Sequence, residues 1–113
     1  MSDCIFCKII KKEIPSTTVY ENENVYAFRD IHPQTKTHIL VVPKKHISSV
    51  METNTSSETL KHIFDAIKEI TKQEKIETTG FRVITNNGPD AGQTVFHLHF
   101  HILGGERLSD KMA

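Results

Sequence analysis

Histidine and large apolar residues alternate near the C-terminal end of the chain. Residues 97–103 read His-Leu-His-Phe-His-Ile-Leu. Because successive side chains of a strand point to opposite faces, this pattern predicts a strand with His97, His99 and His101 on one face and apolar residues on the other. A half-buried strand can carry one histidine as an ordinary polar residue, but three in strict alternation favour a chemical role for that face.

Three other segments have the composition of strands. Residues 17–30 contain two runs rich in β-branched and aromatic residues around the polar stretch 21–24, which predicts a β-hairpin. The nearly continuous apolar run 38–42, closed by Pro43, predicts a strand buried on both faces. Residues 81–84 follow Gly80 and predict a further short strand.

Two segments are predicted to be helical. Residues 4–10 combine two cysteines with four apolar residues and end before Pro15, which predicts a short N-terminal helix. Thr55 and Glu58 have the spacing of a capping box, in which Thr55 caps the first turn of a second, longer helix. The apolar residues of that helix recur at helical spacing and are expected to cover the core rather than carry a site: Leu60, Ile63, Phe64, Ile67 and Ile70.

Length and charge limit the possible classes of protein. The chain of 113 residues is expected to form one domain, residues 1–113. Its 14 basic and 14 acidic residues cancel, which argues against nucleic-acid or membrane binding through bulk charge. Neither a signal-peptide run nor the ~20 apolar residues of a membrane span is visible, so a cytoplasmic location is expected. There Cys4 and Cys7 would stay reduced, and their C-x-x-C spacing suits a metal or redox role.

A loop rich in turn-forming residues leads into the histidine segment. Residues 86–94 contain two glycines, one proline, two asparagines and one aspartate. Such a loop can present backbone N–H groups to an anion, although most loops of this composition bind nothing. Its position directly before the histidines favours an anion site there.

The motif at residues 97–103 resembles the signature of the histidine triad superfamily, in which apolar residues separate three histidines. The likeness covers about residues 4–105 and is closest to the Hint branch, formerly called protein kinase C inhibitor homologues. The segments that carry it, besides the motif, are residues 4–10, 28–31, 37–38, 42–47, 87–88, 91–93 and 104–105.

The resemblance implies a fold and a reaction. The fold is of the α+β class, a five-stranded antiparallel sheet with an N-terminal helix and one long helix. Members of the branch are usually homodimers whose sheets join into one. They bind purine nucleotides and cleave nucleoside phosphoramidates and related nucleotidyl conjugates. A purine nucleoside monophosphate or one of its conjugates is therefore the expected partner, and the neutral chain suits a small anion better than a polyanion.

Three histidines take catalytic roles by the same resemblance. His99 is expected to be the nucleophile that forms a covalent nucleotidyl-histidine intermediate, since imidazole, with a reference pKa of about 6.5, is mostly neutral at pH 7. His101 is expected to stabilise phosphoryl charge or to protonate the departing group. His38 is expected to hydrogen-bond the nucleophile and orient its ring, with a buried core histidine as the other explanation.

The nucleotide contacts implied by the resemblance come from two parts of the chain. Asp30 has the position of the carboxylate that accepts the ribose hydroxyls, and Ile31 lies beside the sugar and base. Ile9 and Phe28 are expected to wall the base pocket, unless they serve only the core. The residues expected at the phosphate are Asn86, Gly92, Gln93, Thr94, His99 and His101.

A metal site is expected at the start of the histidine motif. Cys4, Cys7, His46 and His97 would make the Cys₂His₂ set of a structural zinc site, and some bacterial-type members of the branch bind zinc at these positions. His97 would then be structural, which leaves His99 and His101 as the active pair. The alternative is one catalytic metal on all three histidines. At ~3.3 Å per residue, however, the Cα atoms of His97 and His101 lie about 13 Å apart, so both rings would have to lean inward to share an ion with His99.

Three classes of function remain in view. The first is an enzyme, a nucleoside phosphoramidate hydrolase or nucleotidyl transferase of the Hint type. The second is a zinc-stabilised nucleotide-binding scaffold protein whose turnover is incidental. The third is a metal-dependent hydrolase built on the histidine face.

Overall fold

The computed structural model describes residues 4–52 and 55–111 and contains a five-stranded antiparallel sheet, as predicted. The strands lie side by side in the order β1, β2, β3, β5, β4. In chain order the elements are α1 (Ile5–Ile10), β1 (Thr18–Glu21), β2 (Val25–Arg29), β3 (Thr37–Pro43), α2 (Ser57–Gln73), β4 (Phe81–Ile84), a 3₁₀ turn (Pro89–Ala91) and β5 (Phe100–Gly104). Of the helices described, none is long and apolar enough to cross a membrane.

Strand β3 is the centre of the fold, and all seven of its residues are buried. It pairs with β2 on one side and with β5 on the other. Ile39 and Val41 point into the larger apolar cluster, which includes the buried face of α2. Leu40 and Val42 point to the opposite face, where α1 contributes Phe6 and Ile9. The prediction of a strand buried on both faces is therefore confirmed.

Helix α2 begins one residue later than the capping box suggested. Ser56 is the N-cap, and its hydroxyl accepts a hydrogen bond from the N–H of Thr59 at 3.2 Å. Thr55 is not the cap, because its hydroxyl donates to the carbonyl of Ser49 at 2.8 Å and closes the preceding loop. Ile63, Ile67 and Ile70 are buried as predicted.

Two positions of α2 differ from the predicted pattern. Phe64 remains 44% exposed, although its ring packs against that of Phe100 in β5 with centroids 5.6 Å apart. Thr71 is buried, since its hydroxyl is satisfied within the helix by the carbonyl of Ile67 at 2.9 Å.

The strand predicted over residues 97–103 forms only from Phe100 onward. Antiparallel pairing puts Phe100 opposite Val41, so Leu98 would face Pro43, which has no N–H to continue the ladder. The N–H of Leu98 instead donates to the carbonyl of Ile47. The alternation itself is preserved, because Leu98, Phe100 and Ile102 all lie in the cluster beneath α2.

Candidate active site and metal cluster

The imidazoles of His99 and His101 lie on the face of the sheet that carries α1. Their rings are neighbours, with centroids 5.2 Å apart, and the ring of His101 lies at the same distance from that of His38. His38 is at the start of β3 and His101 is near the start of β5, on adjacent strands. The sheet thus brings together residues that are 63 positions apart in sequence.

Backbone groups determine which nitrogen of His38 and of His101 carries a proton. The N–H of Gln34 donates to Nδ1 of His38 at 3.0 Å, so neutral His38 has its proton on Nε2. That Nε2 lies 2.9 Å from Nδ1 of His101 and donates to it. Neutral His101 therefore keeps its own proton on Nε2, where it is available as a donor.

Burial favours the neutral form of both rings. It lowers the pKa of His38, against the opposing charge of Asp30. Burial, with further contributions from His99 and His38, lowers the pKa of His101 to about 4. At pH 7 both imidazoles are therefore neutral. The Gln34 N–H donates to His38, and His38 donates to His101.

His99 has the opposite tautomer. Its Nδ1 donates to the carbonyl of His97 at 2.8 Å, which leaves a lone pair on Nε2. Burial lowers the pKa of His99, and only 8% of the residue is exposed. The side chain of Thr85 donates to the carbonyl of His99 at 2.8 Å and fixes the backbone at this point. His99 is thus a neutral imidazole with a free nitrogen lone pair.

A cavity of about 410 Å³ opens beside these histidines. Its walls are mainly apolar, and Asp30, His99 and His101 are among its polar groups. A larger surface groove of about 570 Å³ lies between the end of α2 and residues 105–107, away from the three histidines. The residues that line the histidine cavity are Ile5, Phe6, Ile9, Ile14, Pro15, Ser16, Phe28, Arg29, Asp30, Ile31, His32, Leu40, Thr94, Val95, His99 and His101.

The cavity includes several residues predicted to bind a nucleotide. Asp30 is at its edge, where one carboxylate oxygen accepts from the N–H of His32 at 2.8 Å and the other lies 3.5 Å from Nε2 of His38. Ile31 stands at the mouth and is 84% exposed. Ile9 and Phe28 line the cavity and also belong to the core on this face. Their packing role is therefore observed, and their expected contact with a base stays a prediction.

The loop before the histidines contributes less than predicted. Thr94 and Val95 are its members in the cavity wall, whereas Asn86 and Gly92 are not among the lining residues. Gly92 ends the 3₁₀ turn with a φ of 82°, a conformation that glycine adopts without strain.

The side chain of Gln93 is directed into the protein, where it bonds backbone groups instead of facing the cavity, and its expected contact with phosphate stays a prediction. It is only 4% exposed. Its amide oxygen accepts from the N–H of Gly88 at 2.8 Å, and its amide nitrogen donates to the carbonyls of Ser48 at 2.8 Å and Val95 at 3.1 Å. The side chain braces two loops because these buried backbone groups need partners.

Four residues predicted to bind metal converge at the N-terminus of α1. The ligand atoms of Cys4, Cys7, His46 and His97 all lie within 4.8 Å of one another. Nδ1 of His97 is 3.4 Å from the sulfur of Cys4 and 3.5 Å from that of Cys7, and Nδ1 of His46 is 3.2 Å from the sulfur of Cys7. Helix α1 supplies both sulfurs, because Cys4 is its N-cap and Cys7 lies one turn later.

The geometry of these four side chains, here called the metal cluster, fits a tetrahedral zinc ion. Zn–S bonds of ~2.3 Å and Zn–N bonds of ~2.05 Å at tetrahedral angles put sulfur and nitrogen about 3.5 Å apart. Nε2 of His97 donates to the carbonyl of Pro43 at 2.9 Å, which leaves the lone pair of Nδ1 directed at the sulfurs. Burial lowers the pKa of His97 to about 4, so the ring is neutral as a metal ligand requires.

A second group, Asp30, His38 and His101, has ligand atoms equally close together but is poorly suited to a metal. The Gln34 N–H occupies Nδ1 of His38 and so keeps a proton on Nε2, the nitrogen that faces the group. The histidine motif is also divided, since His97 belongs to the metal cluster and His101 to this second group. One catalytic metal shared by His97, His99 and His101 is therefore not the arrangement found.

Sequence reasoning missed three contributors to the site. Phe6 contacts the rings of both His97 and His99. Gln34 acts through its backbone N–H, and the carbonyl of His97 acts on His99. The apolar character and helical position of Phe6 were visible in the sequence, whereas backbone donors and acceptors leave no sequence signal.

Comparison with known proteins identifies the family. A model of the HIT domain matches residues 11–108. A purine nucleoside phosphoramidase of Escherichia coli is 42% identical over 112 residues, covering 98% of this chain and 94% of that protein. A 14 kDa zinc-binding protein of Zea mays is 47% identical over 113 residues, covering 96% and 86%.

Solved structures show the same fold. A histidine triad protein from Clostridium difficile superposes with a TM-score of 0.94 at 49% identity, covering 99% of this chain and 98% of that one. A HIT family hydrolase from Legionella pneumophila superposes with a TM-score of 0.91 at 41% identity, covering 96% and 97%. With the family model, the relatives and the fold in agreement, this chain belongs to the HIT family.

Proposed function

We propose that the protein is a purine nucleotide-binding hydrolase or transferase that cleaves nucleoside phosphoramidates or related nucleotidyl conjugates. One observation carries the proposal: at the cavity, His99 has a free Nε2 lone pair and its neighbour His101 has an Nε2 proton to donate. A nucleophile beside a hydrogen-bond donor is the arrangement that substitution at phosphorus requires. The E. coli relative named a purine nucleoside phosphoramidase supports the choice of substrate class.

The cavity suggests how such a substrate would lie. The apolar walls from α1, Ile14 and Pro15 suit a purine base, and Ile9 and Phe28 also line the space. Asp30 would accept the ribose hydroxyls, and Ile31 would cover the sugar at the mouth. The phosphate would then reach Thr94, His99 and His101, with backbone N–H groups near Asn86 and Gly92 as predicted further contacts.

The reaction follows from the two tautomers. Nε2 of His99 attacks the α-phosphorus, a P–N bond forms, and the bond to the leaving group breaks with its electron pair going to the leaving nitrogen or oxygen. The positive charge that develops on the imidazole is stabilised by the His97 carbonyl, which accepts from Nδ1. The Nε2 proton of His101 is donated in a hydrogen bond to the phosphoryl oxygen or leaving atom. The leaving nitrogen or oxygen takes its proton from solvent. Water then attacks the phosphorus, the P–N bond breaks with its electron pair returning to Nε2 of His99, and the nucleoside monophosphate is released.

The metal cluster is proposed to hold Zn²⁺ as a structural cofactor. The ligands would be Cys4, Cys7, His46 and His97, whose spacing fits the ion and whose donor set is typical of structural zinc. The Zea mays relative named a zinc-binding protein supports the choice of metal. Bound zinc would cross-link α1 to the segment that leads into β5.

The remaining features of the proposal concern the whole molecule. The chain is proposed to act as a single domain over residues 1–113 in the cytoplasm, with the termini and residues 53–54 outside the described ranges. A homodimer is proposed because β4 is an edge strand that could join a second sheet, and Phe81 on it is 38% exposed. Light scattering on a sizing column would test the dimer.

Hydrolysis of an adenosine 5′-phosphoramidate tests the reaction. We expect chelator-treated wild type still to cleave it, at a reduced rate, and His99→Ala to lose nearly all activity while still binding AMP. His62→Ala is the matched control, because His62 lies on α2, away from the cavity, beside Glu58. When the reaction is stopped without acid, mass spectrometry should find a nucleotidyl adduct on His99.

Three results would count against the proposal. Undiminished cleavage by His99→Ala would remove His99 as the nucleophile. Activity that returns only with added metal would favour a metal-dependent hydrolase. Tight AMP binding without any cleavage would favour the scaffold function.

A further inference from the structure

Phe6 lies between the metal cluster and the proposed nucleophile. It is on α1 between Cys4 and Cys7 and is only 7% exposed. The rings of Phe6 and His99 meet edge to face, with centroids 5.0 Å apart and planes at 88°. The Phe6 ring also meets that of His97 at 6.0 Å and 67°. One side chain therefore contacts both a histidine of the metal cluster and His99.

We propose that Phe6 is a positioning residue for His99 and that the metal cluster holds Phe6 in place; this rests on the function proposed above. The hydrogen bond from Nδ1 of His99 to the His97 carbonyl fixes one edge of the imidazole. A single hydrogen bond still lets a ring tilt about its axis. An edge-to-face aromatic contact at near 90° restricts that tilt, because this is one of the two geometries that aromatic pairs prefer.

The position of Phe6 depends in turn on how α1 is attached. Six residues are too few for a helix that is stable alone, so α1 is held by its contacts. Its apolar face packs in the cluster with Phe28 and Leu40. Its two cysteines lie 3.2–3.5 Å from the imidazoles of His46 and His97. A metal bound there would tie the helix to the backbone segment that carries His99.

Phe6 also lines the cavity, so a role in positioning must be separated from a role as a wall. Phe28 offers the matched comparison. Its ring lines the same cavity and packs on Phe6 at 5.6 Å and on Tyr26 at 5.8 Å. Loss of a wall weakens binding and raises KM, whereas a misplaced nucleophile lowers kcat.

The experiment compares Phe6→Leu, Phe6→Met and Phe28→Leu with the wild type, all with one zinc per chain. Steady-state kinetics on an adenosine phosphoramidate give kcat and KM, and ¹⁵N spectra of the free proteins report the tautomer and mobility of His99. We expect both Phe6 variants to lose about tenfold or more in kcat, since small misplacements of a reacting group are costly. Phe28→Leu should mainly raise KM.

The spectra provide a readout that needs no turnover. In the wild type His99 should give a sharp pattern with the proton on Nδ1, and the Phe6 variants should give a broadened or mixed one. Zinc-depleted wild type should show the same broadening. If it keeps the sharp pattern, the metal cluster does not hold Phe6 in place.

The proposal is overturned if both Phe6 variants raise KM only and leave the His99 spectrum unchanged, because Phe6 would then be a wall and nothing more. Phe6→Met, with an unbranched side chain that adapts to the site, decides the question if Phe6→Leu fails to fold. If the wild type itself cleaves no phosphoramidate, the proposed reaction fails. The spectra of the Phe6 variants then decide whether Phe6 positions the His99 ring.

Discussion

His38 donates a hydrogen bond to His101, with Nε2 and Nδ1 2.9 Å apart, instead of bonding His99 as the family resemblance suggested. The two residues are on the same face of adjacent strands, β3 and β5. His99 precedes β5 and turns its Nδ1 toward the His97 carbonyl. His38 therefore sets the tautomer of His101, the proposed hydrogen-bond donor, and reaches His99, the proposed nucleophile, only through His101.

Two replacements of His38 should show whether the site needs only a hydrogen-bond donor to His101 at this position or an imidazole. The amide N–H of Gln at position 38 can donate to Nδ1 of His101, whereas Leu cannot and leaves a buried nitrogen without its donor. Such a loss costs about 1–3 kcal/mol of folding free energy. Without this donor His101 can take the other tautomer and lose its Nε2 proton, so His38→Leu should lower kcat by up to the ~100-fold that one lost transition-state donor costs. His38→Gln should keep most of the activity. Equal losses in both variants would mean that an imidazole is required at position 38.

Acid should destabilise the protein through His101. Its pKa is lowered from 6.5 in the unfolded chain to about 4 by burial and by the neighbouring His99 and His38. Between these values the unfolded chain binds a proton that the folded chain does not. The free energy of unfolding is therefore intact above about pH 6.5 and falls as the pH drops toward 4, by about 3 kcal/mol in all.

Urea unfolding of the wild type and of His101→Gln from pH 7 to 4.5 measures this contribution. Glutamine does not titrate, so the variant lacks the acid-dependent fall in unfolding free energy that His101 causes in the wild type. Acid release of zinc affects both proteins alike, and the difference in their unfolding free energies removes it. We expect the advantage of the wild type over the variant to shrink as the pH falls. Parallel curves would mean that His101 titrates equally in the folded and unfolded chains.

Loss of the metal should destabilise the fold as well as the site. Cys7→Ser removes one sulfur of the metal cluster, and we expect bound zinc to fall well below one per chain. A ligand that binds only the folded chain stabilises it by about 3–4 kcal/mol at 100–1,000 times its Kd, so the thermal midpoint should fall. Lys8→Ala, in the same helix, is the control and should keep its zinc. Loss of zinc without any change in midpoint would contradict a structural role.

The fold was predictable where a long apolar pattern had one explanation. The nearly continuous apolar run 38–42, short and closed by Pro43, indicated a strand covered on both faces, and β3 is covered on both. The alternation at 97–103 correctly assigned the histidines and the apolar residues to opposite faces. Cys4, Cys7, His46 and His97 lie together, as the C-x-x-C spacing and the family resemblance implied, and the zinc ion itself stays a proposal.

The errors share a physical cause, which is competition for backbone groups. Pro43 has no N–H, so the strand pairing stops and β5 begins at Phe100 rather than His97. The hydroxyl of Thr55 found the Ser49 carbonyl, and Ser56 became the cap of α2. His38 bonds His101 because of strand register and the Gln34 N–H. Which backbone group lacks a partner depends on the folded loops and cannot be read from residue types.

Replacement of Gln93 tests whether its side chain serves buried backbone groups or contacts phosphate. If its side chain braces the loops, Gln93→Leu leaves the N–H of Gly88 and the carbonyls of Ser48 and Val95 without their present partner. Each buried group left unsatisfied costs about 1–3 kcal/mol, so the unfolding free energy should fall by at least that amount. Thr94→Ala alters the cavity wall one residue away and should raise KM with little loss of stability. Denaturant unfolding and kinetics on both variants decide the role: a Gln93→Leu protein of wild-type stability with a raised KM would restore Gln93 as a phosphate contact.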